Sequence, residues 1–218
     1  MAETSTRTVE RALDLLGIVC DKGAMTLAEA AREAELPVST TLRLLRTVEA
    51  SKWLTRDDAG IYRPGVRLIQ VGAQAFSDDS LAELSRQPMQ DLAAETGESV
   101  YLSVEAHGDT VLYISIVEGN HSVRHVSWVG HTIPVQGSAA GSVLQGKTPE
   151  EGYLVSENIV EEDVTAISSP VYGGDRPIAA MSILVPTYRS TKQKTRSCGA
   201  LLQHAASEVS RKLRTSSQ

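Results

Sequence analysis

The sequence predicts an α+β protein: an N-terminal winged helix-turn-helix, a linker helix, and a C-terminal antiparallel sheet flanked by helices. Two observations predict this class. Between Thr26 and Arg63, two short helical patterns are followed by two short strand patterns. Between Ser99 and Val185, several runs alternate polar and apolar residues, with Gly-containing turns between some of them and helical patterns on either side. Helices set beside an antiparallel sheet are typical of the α+β class.

The helix-turn-helix is predicted from capping and helix-breaking residues. Thr26 can cap a short helix, because Glu29 follows three residues later in capping-box position. Pro37 ends that helix, because it lacks an N–H donor and disfavours the α conformation in the residue before it. A second helix is expected from Val38 to about Ser51. The residues of its buried stripe fall at helical spacing and are Thr41, Leu44, Leu45 and Val48.

A β-hairpin is predicted directly after the second helix. Trp53–Arg56 and Ile61–Arg63 have strand character, and Asp57–Gly60 between them is a hairpin turn signal. Helix, turn, helix and hairpin together make a winged helix-turn-helix, which binds double-stranded DNA. The alternative is an ordinary pair of antiparallel helices whose basic outer face is only solvated.

The charge distribution is compatible with DNA binding, although the net charge is −6. The stretch from Arg43 to Arg63 contains five basic and three acidic residues, including Arg56 and Arg63 in the predicted wing. DNA binding requires a basic face, not a basic protein. Because the local surplus is small, we expect binding as a homodimer or homotetramer.

The remaining chain is predicted to form three parts: a DNA-binding domain at 1–63, a linker helix at 64–77, and a ligand-binding domain at 78–218. A helix over Thr8–Cys20 should support the first part, and its predicted buried face consists of Val9, Ala12, Leu13, Leu16 and Val19. Val66–Phe76 reads as the linker helix. The predicted strands of the last part are Ser99–Glu105, Thr110–Glu118, His121–Trp128, Tyr153–Val155, Val164–Tyr172 and Ile178–Val185.

Other classes of protein have weaker support. Cys20 and Cys198 are far apart, which gives no disulfide framework and fits a cytoplasmic protein. No segment is long and apolar enough for a membrane span. His121 and His125 would share a face of a strand, but they lack a third well-spaced ligand, so we expect no metal. Phosphate-loop, dinucleotide and nucleophile motifs are missing from the sequence, so we expect no cofactor, no catalytic residues and no enzyme.

The sequence resembles the IclR-type transcriptional regulators along nearly its whole length. The matching segments are Thr8–Leu16, Thr26–Glu49, Tyr62–Gly72, Gln87–Val104, Trp128–Leu144 and Ala179–Pro186. The resemblance implies a C-terminal domain related to the GAF fold, near-palindromic operators, and small organic or aromatic acids as effectors. Between Lys147 and Gly152 the family usually has a longer helical excursion, which is absent here.

The resemblance also implies two sets of functional residues. The DNA-reading helix falls on Ser39, Thr40, Arg43 and Arg46. The effector pocket falls on His125, Ile133, Ala139, Ala140, Ser156, Val164, Ala166, Ser182 and Leu184. Several of these positions are apolar here where the family has polar residues, notably Ala166 and Leu184, so the identity of the effector stays open.

The segment from Gly137 to Gly141 also predicts an anion site from its residues alone. Ser138 is a natural N-cap for a short helix, and the small residues after it allow a ligand to approach the backbone. We therefore expect a small carboxylic acid to dock at Ala139 and Ala140, at the positive end of the helix dipole. The alternative is a well-capped structural helix whose small residues serve packing.

These observations predict a DNA-binding regulator, and we expect a repressor. Two alternatives stay open at this point. An activator of the same family would have the same sequence features, because the sign of regulation depends on where the operator lies. An enzyme with an accessory helix-turn-helix would need a convergent acid/base pair in the pocket.

Overall fold

The computed structural model describes residues 6–77, 80–124 and 127–216. By its internal contacts the chain divides into two compact units, Met1–Asp78 and Asp79–Gln218. The first unit is helical with a two-stranded sheet, and the second contains a six-stranded antiparallel sheet with helices. The predicted α+β class is confirmed.

The elements of the first unit follow the predicted order. They are α1 (Arg7–Lys22), α2 (Leu27–Glu33), α3 (Val38–Ala50), β1 (Leu54–Arg56), β2 (Tyr62–Pro64) and α4 (Val66–Ser77). The capping box is present, since Thr26 N–H donates to Glu29 Oε2 at 2.8 Å and Glu29 N–H donates to Thr26 Oγ1 at 3.3 Å. Strands β1 and β2 pair antiparallel. The winged helix-turn-helix is therefore confirmed.

The core of the first unit contains the predicted stripe of α3. Its four residues, Thr41, Leu44, Leu45 and Val48, are at most 9% exposed. The three apolar ones pack with Leu15 and Val19 of α1 and with Leu54 and Tyr62 of the wing. A bridge between Met25 and Tyr62 also ties the segment before α2 to the wing. The wing is therefore held against the helices by the same apolar cluster that orients α3.

The buried face of α1 differs from the prediction. Val9 and Leu13 were assigned to it, but they are 54% and 61% exposed; Val19 is fully buried as predicted, and so is Leu15, which was not assigned. The apolar residues of α1 form one wide arc that includes Val9, Leu13, Leu15 and Val19, so periodicity alone does not select which part of the arc is buried. The contacts of α1 with α3 and β2 select the side of Leu15.

The second unit contains three α-helices, one short 3₁₀ helix (Thr187–Arg189) and six strands within the described residues. The helices are α5 (Ser80–Thr96), α6 (Ala139–Leu144) and α7 (Lys192–Ser216). The strands are β3 (Ser99–Ala106), β4 (Thr110–Val117), β5 (Thr132–Pro134), β6 (Leu154–Glu157), β7 (Val164–Gly173) and β8 (Arg176–Pro186). Their order in the sheet is β5-β4-β3-β8-β7-β6, and all neighbours are antiparallel.

The two faces of this sheet carry different side chains. Leu102 and Ile183 belong to the core that the sheet shares with α5 and α7. Their neighbours along the strands, Tyr101 and Leu184, belong to a second cluster that includes residues of α6. Successive residues of a strand point to opposite faces, so α6 covers the face opposite to α5 and α7. The pocket described below lies on the α6 side.

The predicted strand His121–Trp128 is wrong for the residues that are described. From Glu118 to Arg124 the chain forms bends and irregular structure, and His125 lies outside the described residues. Arg124 Nη2 pairs with Glu118 Oε2 at 2.9 Å, and Val123 O accepts a hydrogen bond from Arg189 Nη2 at 2.9 Å. The edge of β4 is instead occupied by β5. Side-chain contacts therefore replace strand pairing in this segment.

The connection between α6 and β6 is a short turn. Gly152 N–H donates to Pro149 O at 3.0 Å, and Gly152 O accepts from Ser169 Oγ at 2.7 Å. The Tyr153 ring packs directly on Gly199 of α7, where a Cβ atom would lie 2.4 Å from the ring. The direct connection is thus anchored to both β7 and α7.

Candidate functional site

The outward surface of α3 brings three of the predicted DNA-contact residues together. Ser39, Arg43 and Arg46 line one open surface of the helix. The sequence reasoning did not assign the other residues of this surface, which are Leu42, Thr47, Ala50 and Ser51. Both arginines are exposed. Across residues 6–77, neither guanidinium forms an ion pair with a carboxylate, Glu49 of the same helix included.

The other predicted DNA-contact residues lie elsewhere in the first unit. Thr40 is half-buried and is not part of the open α3 surface. On the wing, the Arg56 guanidinium carbon is 5.6 Å from the centre of the Tyr62 ring, and Arg63 Nε is 3.6 Å from Asp57 Oδ2. Exposed ion pairs of this kind contribute about 1 kcal/mol or less, so a phosphate can compete for Arg63.

Nine of the ten predicted effector-binding residues line one cavity on the α6 side of the sheet. They are Ile133, Ser138, Ala139, Ala140, Ser156, Val164, Ala166, Ser182 and Leu184. The tenth, His125, lies outside the described residues. The empty space between the walls, including open solvent at the mouth, is about 420 Å³.

Six further residues of the lining were not predicted. They are Tyr113, Trp128, Ile159, Val160, Glu161 and Ser168. Two of them could have been found from strand alternation, because Ser168 is two residues from Ala166 on β7 and Tyr113 lies within β4. The segment 159–161 has no periodic signal, since it lies in an irregular connection.

The beginning of α6 forms one wall of the cavity. Ser138 Oγ donates to Pro134 O at 2.7 Å and accepts from Gly141 N–H at 3.1 Å, so the predicted N-cap is confirmed. Gly141 must lack a side chain, because a Cβ atom there would lie 2.2 Å from Val135 O. Across the described ranges, no acceptor is found for the N–H groups of Ala139 and Ala140.

Serine hydroxyls on three neighbouring strands supply polar groups to the cavity. Ser168 Oγ and Ser182 Oγ are 2.7 Å apart and buried, at facing positions of β7 and β8. Ser156 on β6 is half-buried. The cavity therefore offers hydroxyl groups alongside an apolar surface formed by residues such as Ile133 and Leu184.

The segment Asn158–Asp163 positions three further lining residues. Asn158 N–H donates to Val164 O at 2.9 Å, and Asp163 O accepts from Thr187 N–H at 2.7 Å. Thr187 Oγ1 also donates to Asn158 Oδ1 at 3.2 Å. Ile159 Cγ2 lies 3.1 Å from where a Cβ atom of Gly137 would be. The segment connects β6 to β7 and lies against the loop that precedes α6.

A row of aromatic rings lies beside this segment. The ring centres of Tyr101 and Tyr113 are 4.9 Å apart, and those of Tyr113 and Trp128 are 6.4 Å apart. Burial raises the pKa of Tyr113 to about 12, and the negative charge of Glu161 adds to this effect. Burial also raises the pKa of Tyr101. Both phenols are therefore protonated at neutral pH.

A buried ion cluster lies outside the pocket and was not predicted. Glu98 is fully buried and accepts from Arg189 Nε at 3.1 Å, from Arg189 Nη2 at 2.8 Å and from Lys194 Nζ. Burial by itself raises the pKa of Glu98, but the hydrogen bonds from Arg189 and Lys194 outweigh it and lower that pKa below its ordinary value. His121 Nε2 is 3.5 Å from Glu98 Oε1.

No metal or membrane site is seen in the described part of the chain. No group of three or more His, Cys, Asp or Glu side chains in residues 6–77, 80–124 and 127–216 could hold a metal ion. Over the same residues, none of the helices combines the length and the apolar character that crossing a membrane requires.

A winged helix-turn-helix with exposed arginines, followed by a sheet domain with a cavity lined by serine hydroxyls and apolar side chains, is typical of a DNA-binding regulator that senses a ligand. Comparison with known families specifies the class further. Residues 8–58 match the IclR helix-turn-helix domain, and residues 73–150 and 145–211 match the bacterial transcriptional regulator IclR C-terminal domain. The chain belongs to the IclR family of DNA-binding transcriptional regulators.

Individual relatives are distant but cover almost the whole chain. The HTH-type transcriptional regulator KipR of Bacillus subtilis is 24% identical, over 97% of this chain and 98% of its own. The transcriptional repressor IclR of Escherichia coli is 26% identical, over 93% of this chain and 88% of its own.

Solved structures share the fold. An IclR regulator from Alicyclobacillus acidocaldarius matches with a TM-score of 0.82 at 23% identity, over 96% of this chain and 99% of its own. An IclR homologue from Microbacterium hydrocarbonoxydans, crystallised with 4-hydroxybenzoate, matches with a TM-score of 0.76 at 22% identity, over 95% of this chain and 99% of its own.

The comparisons also show that the connection between α6 and β6 is shorter in this chain than in its relatives. The C-terminal family model matches in two pieces that meet at residues 145–150. The alignment with KipR extends over 247 positions, although this chain has 218 residues. The relatives therefore contain additional residues, and the family model is interrupted where this chain passes directly from α6 to β6.

Proposed function

We propose that this protein is a cytoplasmic repressor without catalytic activity, and that a small carboxylic acid in the pocket changes its affinity for a near-palindromic operator. The observation that carries this proposal is the presence of two surfaces in one chain: exposed arginines on α3 and a cavity beside α6. Several relatives are named repressors, including IclR and AllR of Escherichia coli, which supports repression.

On the DNA side, Arg43 and Arg46 are the proposed base-reading residues. They lie on the open surface of α3, and a recognition helix reads base edges from such a surface in the major groove. The helix begins after Pro37, which provides no side-chain cap, so its first N–H groups can donate hydrogen bonds to a phosphate. Arg56 and Arg63 on the wing are proposed to contact the DNA backbone.

On the effector side, the carboxylate is proposed to bind the N–H groups of Ala139 and Ala140. These groups have no acceptor among the described residues, and they line the cavity. The hydroxyls of Ser156 and Ser182 would hydrogen-bond the ligand, while Ile133 and Leu184 would surround its apolar part. The Microbacterium homologue was crystallised with 4-hydroxybenzoate, which supports a small aromatic acid as the ligand.

A gel-shift titration on the DNA upstream of the protein's own gene tests the proposal. We expect a specific complex, and we expect at least one member of a panel of small organic and aromatic acids to shift its midpoint. The shift should be absent with unrelated DNA of equal length. Specific binding that no acid alters would contradict the effector part, whereas equal affinity for all DNA would contradict operator recognition.

Assembly into homodimers or homotetramers is the second expected property. Val9 and Leu13 on α1 and Val66 and Ile69 on α4 are 54–73% exposed, which leaves apolar side chains on the DNA-binding unit uncovered in one chain. Analytical ultracentrifugation at micromolar concentration should detect dimers or tetramers, and footprinting should detect half-sites about one helical turn or more apart.

Two substitutions of exposed apolar residues test the role of this surface in assembly, one on α1 and one, as the control, in the second unit. Leu13→Glu should shift the protein towards monomer and weaken operator binding, because a charge replaces an exposed apolar side chain. Val123→Glu changes a residue of similar exposure in the second unit and should leave assembly unchanged. A strictly monomeric wild-type protein that binds its operator tightly would contradict this prediction.

A further inference from the structure

Ser168 and Ser182 form a buried pair of hydroxyl groups in the lining of the cavity. They face each other on β7 and β8, they are at most 1% exposed, and their Oγ atoms are 2.7 Å apart. Their neighbours in the same row of the sheet are Leu154 on β6 and Tyr101 on β3. Both neighbours belong to the apolar cluster on this face, so the pair is a polar point in a largely apolar wall.

The hydrogen bond between the two serines leaves one of their hydrogens without an acceptor. Each serine has one O–H donor and one oxygen that can accept. The bond between them uses only one of the two hydrogens, whichever serine is the donor. Within the part of the chain that the structure describes, neither serine has another hydrogen-bond partner. One spare hydrogen is therefore left at the wall of the cavity.

Other buried serines of the same sheet are satisfied by the backbone. Ser169, on the opposite face of β7, donates to Gly152 O at 2.7 Å, and Ser103 on β3 donates to Ala180 O at 3.3 Å. A buried donor without an acceptor is unfavourable, and buried polar groups are hydrogen-bonded as a rule. The hydroxyl pair differs from these serines because it lines a cavity. A bound ligand can therefore supply the missing acceptor.

A hydroxyl group on the ligand would complete the hydrogen bonding of the pair. Its oxygen accepts the spare hydrogen from one serine, and its own hydrogen is donated to the oxygen of the other, so that none of the three hydrogens is unpaired. A methyl group in the same place would leave the spare hydrogen buried without an acceptor. A carboxylate only accepts, and the cavity offers it the N–H groups of Ala139 and Ala140.

We propose that Ser168 is a specificity-determining residue of the effector site, and that together with Ser182 it binds a hydroxyl group of the effector. The effector is then a hydroxy acid, whose carboxylate binds at the start of α6 and whose hydroxyl binds between β7 and β8. This inference rests on the proposed function, since it assumes that the cavity is the effector site. It adds Ser168 to the residues that select the ligand.

Matched pairs of acids in which a methyl group replaces a hydroxyl test the inference. The pairs are lactate with isobutyrate, and the ortho, meta and para isomers of hydroxybenzoate with the corresponding methylbenzoates. The two members of a pair have the same number and arrangement of non-hydrogen atoms, so size and shape are held nearly constant. Calorimetric titration of the full-length protein should give at least one pair in which the hydroxy acid binds about tenfold or more tightly.

Two variants and one control assign this preference to the hydroxyl pair. Ser168→Ala should lower the preference several-fold, because Ser182 can still bond the ligand but the third hydroxyl is lost. The double variant Ser168→Ala/Ser182→Ala should abolish the preference. Ser169→Ala removes a buried hydroxyl from the opposite face of the same strand and should keep the full preference. Thermal unfolding shows whether each variant folds, and the comparison in the wild-type protein depends on no variant.

The outcomes separate this inference from the proposed function. If both members of every pair bind the wild-type protein equally, the inference is wrong while the acid site stands. The same holds if Ser168→Ala keeps the full preference. A double variant that binds hydroxy and methyl acids with equally reduced affinity also overturns the inference, because the serines then serve the carboxylate or the fold. If none of the acids binds, both this inference and the proposed acid site fail.

Discussion

Replacing Arg43 by alanine is expected to weaken operator binding by about tenfold or more while the fold stays intact. Arg43 is exposed on the open surface of α3 and has no acidic partner across residues 6–77, so its guanidinium is available for DNA. A bidentate arginine–guanine contact is worth about 1–3 kcal/mol, and its loss also relaxes specificity at one base pair. Fluorescence anisotropy with operator and scrambled DNA measures both effects.

The same measurement distinguishes base reading from phosphate contact. If Arg43 contacts only phosphate, Arg43→Ala should weaken binding to both DNAs alike and reduce the slope of log affinity against log salt by about 0.9. Arg211→Ala removes an equal charge from the exposed side of α7 and should leave operator affinity almost unchanged. Wild-type operator affinity in Arg43→Ala would remove α3 from the proposed interface.

Replacing Ala140 by aspartate is expected to abolish the response to the effector and to leave operator binding near normal. Ala140 lies at the start of α6, lines the cavity and is 3% exposed. An aspartate there would put a carboxylate where that of the ligand is proposed to bind, and it would repel the acid. The gel-shift midpoint of the variant should therefore no longer move when an active acid is added.

Ser142→Asp is the matched control for this substitution. It adds the same charge to the same helix, but Ser142 is not part of the cavity lining. This variant should keep its response, and thermal unfolding should show that both variants fold. An Ala140→Asp protein that responds at the wild-type acid concentration would place the anion site elsewhere in the molecule.

Local sequence signals were sufficient to predict helix boundaries where a single residue has one well-defined effect on the backbone. Thr26 with Glu29, Pro37 and Ser138 each predicted a helix boundary that the structure contains. The face of α3 was also predictable, because its apolar residues form a single stripe. In α1 the apolar arc is wider than the buried face, and only contacts with distant residues select the buried part, so Val9 and Leu13 were assigned wrongly.

The pocket was predictable only on its strands and at the start of α6. Positions such as Ser156 and Ser182 lie on regular strands, where family resemblance and alternation locate side chains. Glu161 lies in an irregular connection that is held in place by contacts with Thr187. Nothing in the residues around Glu161 predicts that this acid faces a cavity rather than solvent. The position of Glu161 in the cavity lining depends on tertiary structure that local sequence does not encode.

The buried carboxylate of Glu98 has a consequence for how the second unit folds during synthesis. Its main partner, Arg189, is 91 residues further along the chain. At about 5–20 residues per second, the ribosome makes Glu98 roughly 5–18 s before Arg189 exists. A buried carboxylate without a partner is several kcal/mol unfavourable, so the start of β3 can become fully buried only after translation has passed Arg189. The nascent sheet should stay open until then, and exposed to chaperones.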